Sequence, residues 1–75
     1  MLEPLPEDFK KLEAYVDAFG LACVLSMLSR ICGDKAEHIA TNWQDAHLAA
    51  QWERLAGTLD LAQQVAEKLG LKNGP

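Results

Sequence analysis

The chain is poor in everything that ties a small fold together covalently or through a metal. Its 75 residues include two cysteines, two histidines and an aromatic share of 7%. Two cysteines cannot supply the disulfide framework on which small secreted domains rely. Cys23 and Cys32 stand nine positions apart. On one helix that is about half a turn of rotation and about 13.5 Å of rise, beyond the roughly 7 Å Cα reach of a bridge. They read instead as reduced, small hydrophobic core residues, and they favour a cytoplasmic setting. Positive charge is also scarce. Seven Lys and Arg against eleven Asp and Glu leave a net charge of -4 and a pI near 4.9. This balance excludes a nucleic-acid backbone or an anionic membrane as partner and leaves open a protein with a basic surface. The opening MLEPLPEDF has no basic stretch and no apolar run, so no secretory signal is expected. The longest apolar stretch, Leu21 to Leu28, is interrupted at Ser26 and is far short of the roughly 20 residues that cross a bilayer. A soluble chain is expected. Repeats, low-complexity tracts and the alternation of half-buried strands are absent too.

What the chain has is apolar content at helical spacing. Hydrophobic residues make up 49% of it, although a core this small rarely yields more than about 3 to 5 kcal/mol unaided. Leu5, Phe9, Leu12, Val16 and Phe19 recur on one helical face. Pro6 suits a first helical position, Glu7 and Asp8 suit its positive end, and Gly20 supplies the stop. These features predict a first helix over about 6–18. A central helix follows over about 21–42, carried by Leu21, Val24, Leu25, Leu28, Ile31, Cys32, Ala36, Ile39 and Trp43. Gly33 followed by Asp34 and Glu37 allows a break with a capping box. The apolar phase passes Gly33 without a slip, and one helix is the favoured reading. Cys23 and Met27 add a second apolar face, so the first half of this helix is expected to be buried from several sides. Asp45 is the best N-cap for a third helix over about 45–69. Its seam runs Leu48, Trp52, Leu55, Leu59, Ala62, Ala66 and Leu69 in coiled-coil fashion. Gly70 caps it, and residues 70–75 form a tail that frays from Lys72 onward. The expected fold is a single all-α domain over 1–75, a three-helix bundle completed by dimerisation.

No arrangement of reactive side chains emerges. A helical metal pair needs ligands three or four positions apart, and His38, His47, Glu37 and Asp45 do not supply one beyond the partial pair Asp34 and His38. Neither Cys23 nor Cys32 has a histidine placed by spacing, with His38 turned roughly 240° from Cys32 on the helix. A helix-turn-helix outline around Gly20 fails, because its second helix would open with Leu21, Ala22, Cys23, Val24 and Leu25 where polar contacts to bases are required. No enzyme, metal site or cofactor is expected. The informative polar stretch is Asp34 to Asp45. Trp43 there is favoured as an anchor folded back on the third helix. As a contact, Trp43 would be a binding hot spot rimmed by His38, Asn42, Gln44 and Asp45.

The run KAEHIATNWQD followed by LAAQWE resembles short uncharacterised helical proteins of bacterial or mobile-element genomes, over about Ala36 to Leu55. The resemblance implies a compact helical protein and carries no activity. The leading expectation is a non-catalytic protein-binding module that self-associates as a homodimer. Its self-contacts are expected at Cys23, Met27, Leu48, Trp52, Leu55 and Leu59, with His38, Asn42, Trp43, Gln44 and Asp45 facing another protein. Two alternatives stand beside it. One is a small-molecule binder with a pocket lined by Met27, Cys32 and the two tryptophans. The other is a mobile-element inhibitor that blocks an enzyme with a basic surface.

Overall fold

A computed structural model describes residues 2–71. Three α-helices follow one another: α1, Pro6–Phe19; α2, Leu21–His38, prolonged by a π-helical turn at Ile39–Trp43; and α3, Ala46–Lys68. No strand occurs among the described residues, and the fold is all-α. The expected fraying from Lys72 onward lies outside them. No single helix is long and apolar enough to cross a membrane.

Local chemistry sets each boundary. At the start of α1, Pro6 occupies the first helical turn, and the Asp8 carboxylate accepts from the Leu5 N–H at 2.8 Å. At its end the Gly20 N–H donates to the Val16 carbonyl at 2.8 Å. Gly20 takes φ 87 and ψ 152, a region essentially restricted to glycine. The chain therefore turns sharply, and α1 makes an angle of 115° with the helix that follows. The Asp45 side chain caps α3 by accepting from the Leu48 N–H at 3.0 Å. At the far end Gly70 has φ 82, its N–H reaches the Glu67 carbonyl at 3.0 Å, and the Leu71 N–H reaches the Ala66 carbonyl at 2.8 Å. That pair of bonds is a Schellman cap. The Leu71 carbonyl then accepts from the Ala22 N–H at 2.9 Å, so the residue that closes α3 also satisfies the start of α2.

Helices α2 and α3 form an antiparallel hairpin around a narrow seam. From α2 the buried residues on the seam are Ala22, Ser29, Cys32, Ala36 and Ile39; from α3 they are Ala49 and Ala66. Leu25, Trp52, Ala56 and Leu59 fill the seam half-buried. Its one polar group is well satisfied. Ser29 Oγ lies 2.6 Å from Asp60 Oδ1 and 3.0 Å from the Ala56 carbonyl. The hydroxyl has a single proton, and the carboxylate is the stronger acceptor.

This seam keeps Trp52, Leu59, Ala62 and Ala66 of the expected one and corrects the rest. Leu55 and Leu69 on α3, and Leu21, Leu28 and Ile31 on α2, are exposed. Small residues at the interface let the two axes approach closely, and the leucines beside them are displaced to the edge. The central helix is thus buried on one side only. Cys32 is buried and Cys23 is exposed, both as free thiols, so the expectation of two core cysteines holds for Cys32 alone.

α1 adds nothing to the core. None of its residues is buried, and it touches α2 but not α3. The molecule measures 41 × 31 × 13 Å. The radius of gyration, 14.2 Å, exceeds the roughly 11 Å of a compact chain of this length.

Two stability outcomes follow, measured by urea unfolding at fixed protein concentration. Ser29→Ala should cost about 1 to 2 kcal/mol, and Ser29→Leu should cost more by forcing the helices apart. Equal, negligible losses would show that the seam does not depend on this contact. A Cβ at Gly33 or Gly57 would meet nothing within 4 Å. Gly33→Ala and Gly57→Ala should therefore each stabilise by up to about 1 kcal/mol.

Candidate interaction surfaces

The polar surface lies where α2 turns into α3. Over Ile39–Trp43 the helix loosens into a π turn, a form found mostly as single turns and frequently at functional sites. Asn42 holds the turn together. Its amide nitrogen sits 3.0 Å from His38 Nδ1 and donates to the His38 carbonyl at 3.1 Å. If the amide also donates to Nδ1, the ring proton is on Nε2. Gln44 then takes a left-handed conformation, φ 55 and ψ 29, which ends the turn. Asp45 begins α3 as its cap.

Trp43 does not fold back as the expected anchor. It is 65% exposed and stands edge-on to the His38 ring, with centroids 6.1 Å apart and planes at 69°. The shallow hollow beside it, about 370 Å³, is lined by Asp34, Glu37, His38, Thr41 and Asn42. Of the proposed contact residues, the structure groups His38, Asn42 and Trp43 directly. Gln44 and Asp45 serve the backbone of the corner.

The apolar surface is larger. With Ala22, Ser29 and Ala36 as the a positions of α2, and Ala49 and Ala56 as those of α3, position g holds Leu21, Leu28 and Lys35 on α2 and Leu48, Leu55, Ala62 and Leu69 on α3. Two antiparallel helices bring their g rows to the same edge of the seam. One face of the hairpin is therefore leucine-rich. The opposite edge carries Ser26 and Gly33 facing Glu53, Asp60 and Glu67. On the apolar face Leu48, Trp52 and Leu55, with Gln51, line a depression of about 180 Å³. Ile31 extends the same side and is 51% exposed.

Of the expected self-contact residues, Leu48, Trp52 and Leu55 are brought together. Leu59 is half-buried in the seam, and Cys23 and Met27 are exposed on α2. Leu21, Leu28 and Ile31 were missed as surface residues. The signal that reveals them is the spacing of small residues by seven, Ala22, Ser29 and Ala36 facing Ala49 and Ala56. Met27, Cys32 and the tryptophans do not converge: Cys32 is inside the seam and Trp43 is at the corner.

A second apolar stripe runs along α1. Leu5, Phe9, Leu12 and Phe19 are exposed, Phe9 by 64%, and only Val16 is half-buried. Tyr15 stacks on Phe19 with centroids 6.1 Å apart.

The histidines meet amides. His38 faces Asn42, and His47 Nε2 lies 3.4 Å from the Gln51 amide nitrogen. Among the described residues no group of three His, Cys, Asp or Glu side chains is placed to hold a metal ion. No protein-family model matches the chain, and no curated protein or solved structure matches it either.

The different settings of the two tryptophans lead to different outcomes on truncation. Trp43→Ala should lower stability by less than about 1 kcal/mol, because little area is lost. Trp52→Ala, at the seam, should cost about 2 to 4 kcal/mol. Chemical unfolding of both variants checks this, and a large loss at Trp43 would make the corner structural.

Proposed function

We propose that this protein is a non-catalytic helical interaction module that acts as a homodimer. The observation that carries the reading is its surface. A compact monomer of 8.3 kDa exposes about 4,600 Å². This chain exposes 6083 Å². The excess, about 1,500 Å² per chain, is more than the roughly 800 Å² per partner of a standard protein interface. Leu5, Phe9, Leu12 and Phe19 on α1 and Leu21, Leu28 and Leu55 on the hairpin are among the exposed residues, and clustered exposed apolar side chains mark association sites. α1, which has no buried residue and does not touch α3, leaves the hairpin without the third helix of a bundle.

Other features agree with this reading. His38 and His47 lie beside amides, not beside a thiol that either could activate. Two unpaired thiols suit a reducing compartment, and the cytoplasm is the proposed one. The net charge of -4 disfavours nucleic acid and anionic lipid as partners. The exposed Trp43 corner is left free by this pairing, and it is the surface through which a dimer would meet a second, basic protein.

Sedimentation equilibrium tests the pairing. The expected mass is twice 8.3 kDa at micromolar concentration. A mass of one chain persisting to high micromolar concentration would overturn the proposal.

A further inference from the structure

We infer that the dimer is arm-exchanged: α1 of each copy lies in the apolar groove of the other copy's α2/α3 hairpin and supplies the third helix of a bundle in trans. The inference rests on the self-association proposed above and adds which surfaces meet.

The length of one connection decides between cis and trans. α1 and α2 are separated by Gly20 alone. Two antiparallel helices need a loop of about two to five residues to lie side by side. A one-residue joint turns the chain but cannot lay α1 back along its own hairpin. The joint is also packed. Gly20 and Val24 are buried, and the Gly20 carbonyl accepts from the Val24 N–H at 3.2 Å. The 115° departure of α1 is therefore a built feature, and the stripe it carries has no cover within its own chain.

The two unpartnered surfaces suit each other. α1 presents one stripe at the spacing of a bundle helix. The hairpin presents a ridge-and-groove edge on which the two antiparallel rows interleave, Leu69, Leu21, Leu28, Leu55 and Leu48 in order along it, with Lys35 between the last two. The 14 residues of α1 span about 21 Å, the length of four turns of the groove. Reciprocal exchange about a two-fold axis uses both surfaces of both chains and closes, where a one-way exchange would propagate into a filament. The area fits as well, since an excess of about 1,500 Å² per chain falls in the range of obligate dimers. A lipid surface is the weaker occupant. The flanks of α1 carry Glu7, Asp8, Glu13 and Asp17 against Lys10 and Lys11, whereas helices that lie in a membrane interface are rich in basic residues.

Complementation between two variants tests the exchange. The arm variant is Phe9→Glu with Leu12→Glu, and the face variant is Leu28→Glu with Leu55→Glu. All four positions are exposed within one chain, and far-UV circular dichroism checks that each variant keeps its helices. Glutamine replaces glutamate in any variant that does not. Each variant alone should dimerise roughly a hundredfold or more weakly than the native chain, as expected for removing two large apolar contacts from each site. Mixed in equal amounts, the two should form a heterodimer, because the intact arm of one meets the intact groove of the other. No heterodimer on mixing, or an arm variant that dimerises like the native chain, would overturn the exchange and leave self-association standing. A native chain that is monomeric at high micromolar concentration would overturn both. A native chain that stays monomeric and floats with phosphatidylcholine vesicles would assign the stripes to lipid.

Discussion

The narrowness of the α2/α3 seam governs the rest of the molecule. The seam's most buried positions are mainly small, alanines, a cysteine and a serine whose hydroxyl is held by Asp60, together with Ile39, and Leu25, Trp52 and Leu59 fill the rest half-buried. The short bond from a buried hydroxyl to a carboxylate fixes the register, since a slip by one turn would leave Ser29 buried without its acceptor. Leu21, Leu28, Leu48 and Leu55 flank the seam on one edge, while Glu53, Asp60 and Glu67 gather on the other. The hairpin is consequently two-faced.

The second constraint is the single residue between α1 and α2. Gly20 can take a backbone conformation closed to other residues, and it turns the chain without returning it. A longer loop would let the first helix cover the leucine face and give an ordinary three-helix monomer. With one residue, the apolar stripe and the apolar face belong to the same chain and do not meet. The arm-exchanged dimer proposed above would use both and would leave the corner at Trp43 outside the contact.

Much of the fold was legible in the linear pattern. Apolar spacing, Pro6, Gly20, Asp45 and Gly70 carry enough local chemistry to place three helices, because caps and stops act within one turn of the residue that makes them. The seam was legible only in part. Leu48, Leu55 and Leu69 form as regular a stripe as Ala49, Ala56 and their neighbours, and periodicity does not say which of two adjacent stripes faces inward. Transfer energy favours the leucines, and close approach with a satisfied Ser29 favours the alanines. The site had the same ambiguity. Trp43 has the size of an anchor, but its burial depends on where the π turn aims it, and no local residue preference encodes that.

The sequence by itself determined an all-α chain, its helix termini and its net negative charge, since each depends on nearest neighbours or on composition. Only the tertiary structure decided which stripe became the core, that Trp43 and the leucine row would be exposed, and that α1 would stand clear of the hairpin. Those outcomes depend on the distance between two helix axes and on the angle at Gly20. The first is set by contacts between residues far apart in the chain, where hydrophobic spacing alone does not distinguish one packing from another, and the second by a glycine conformation that residue type permits but does not specify.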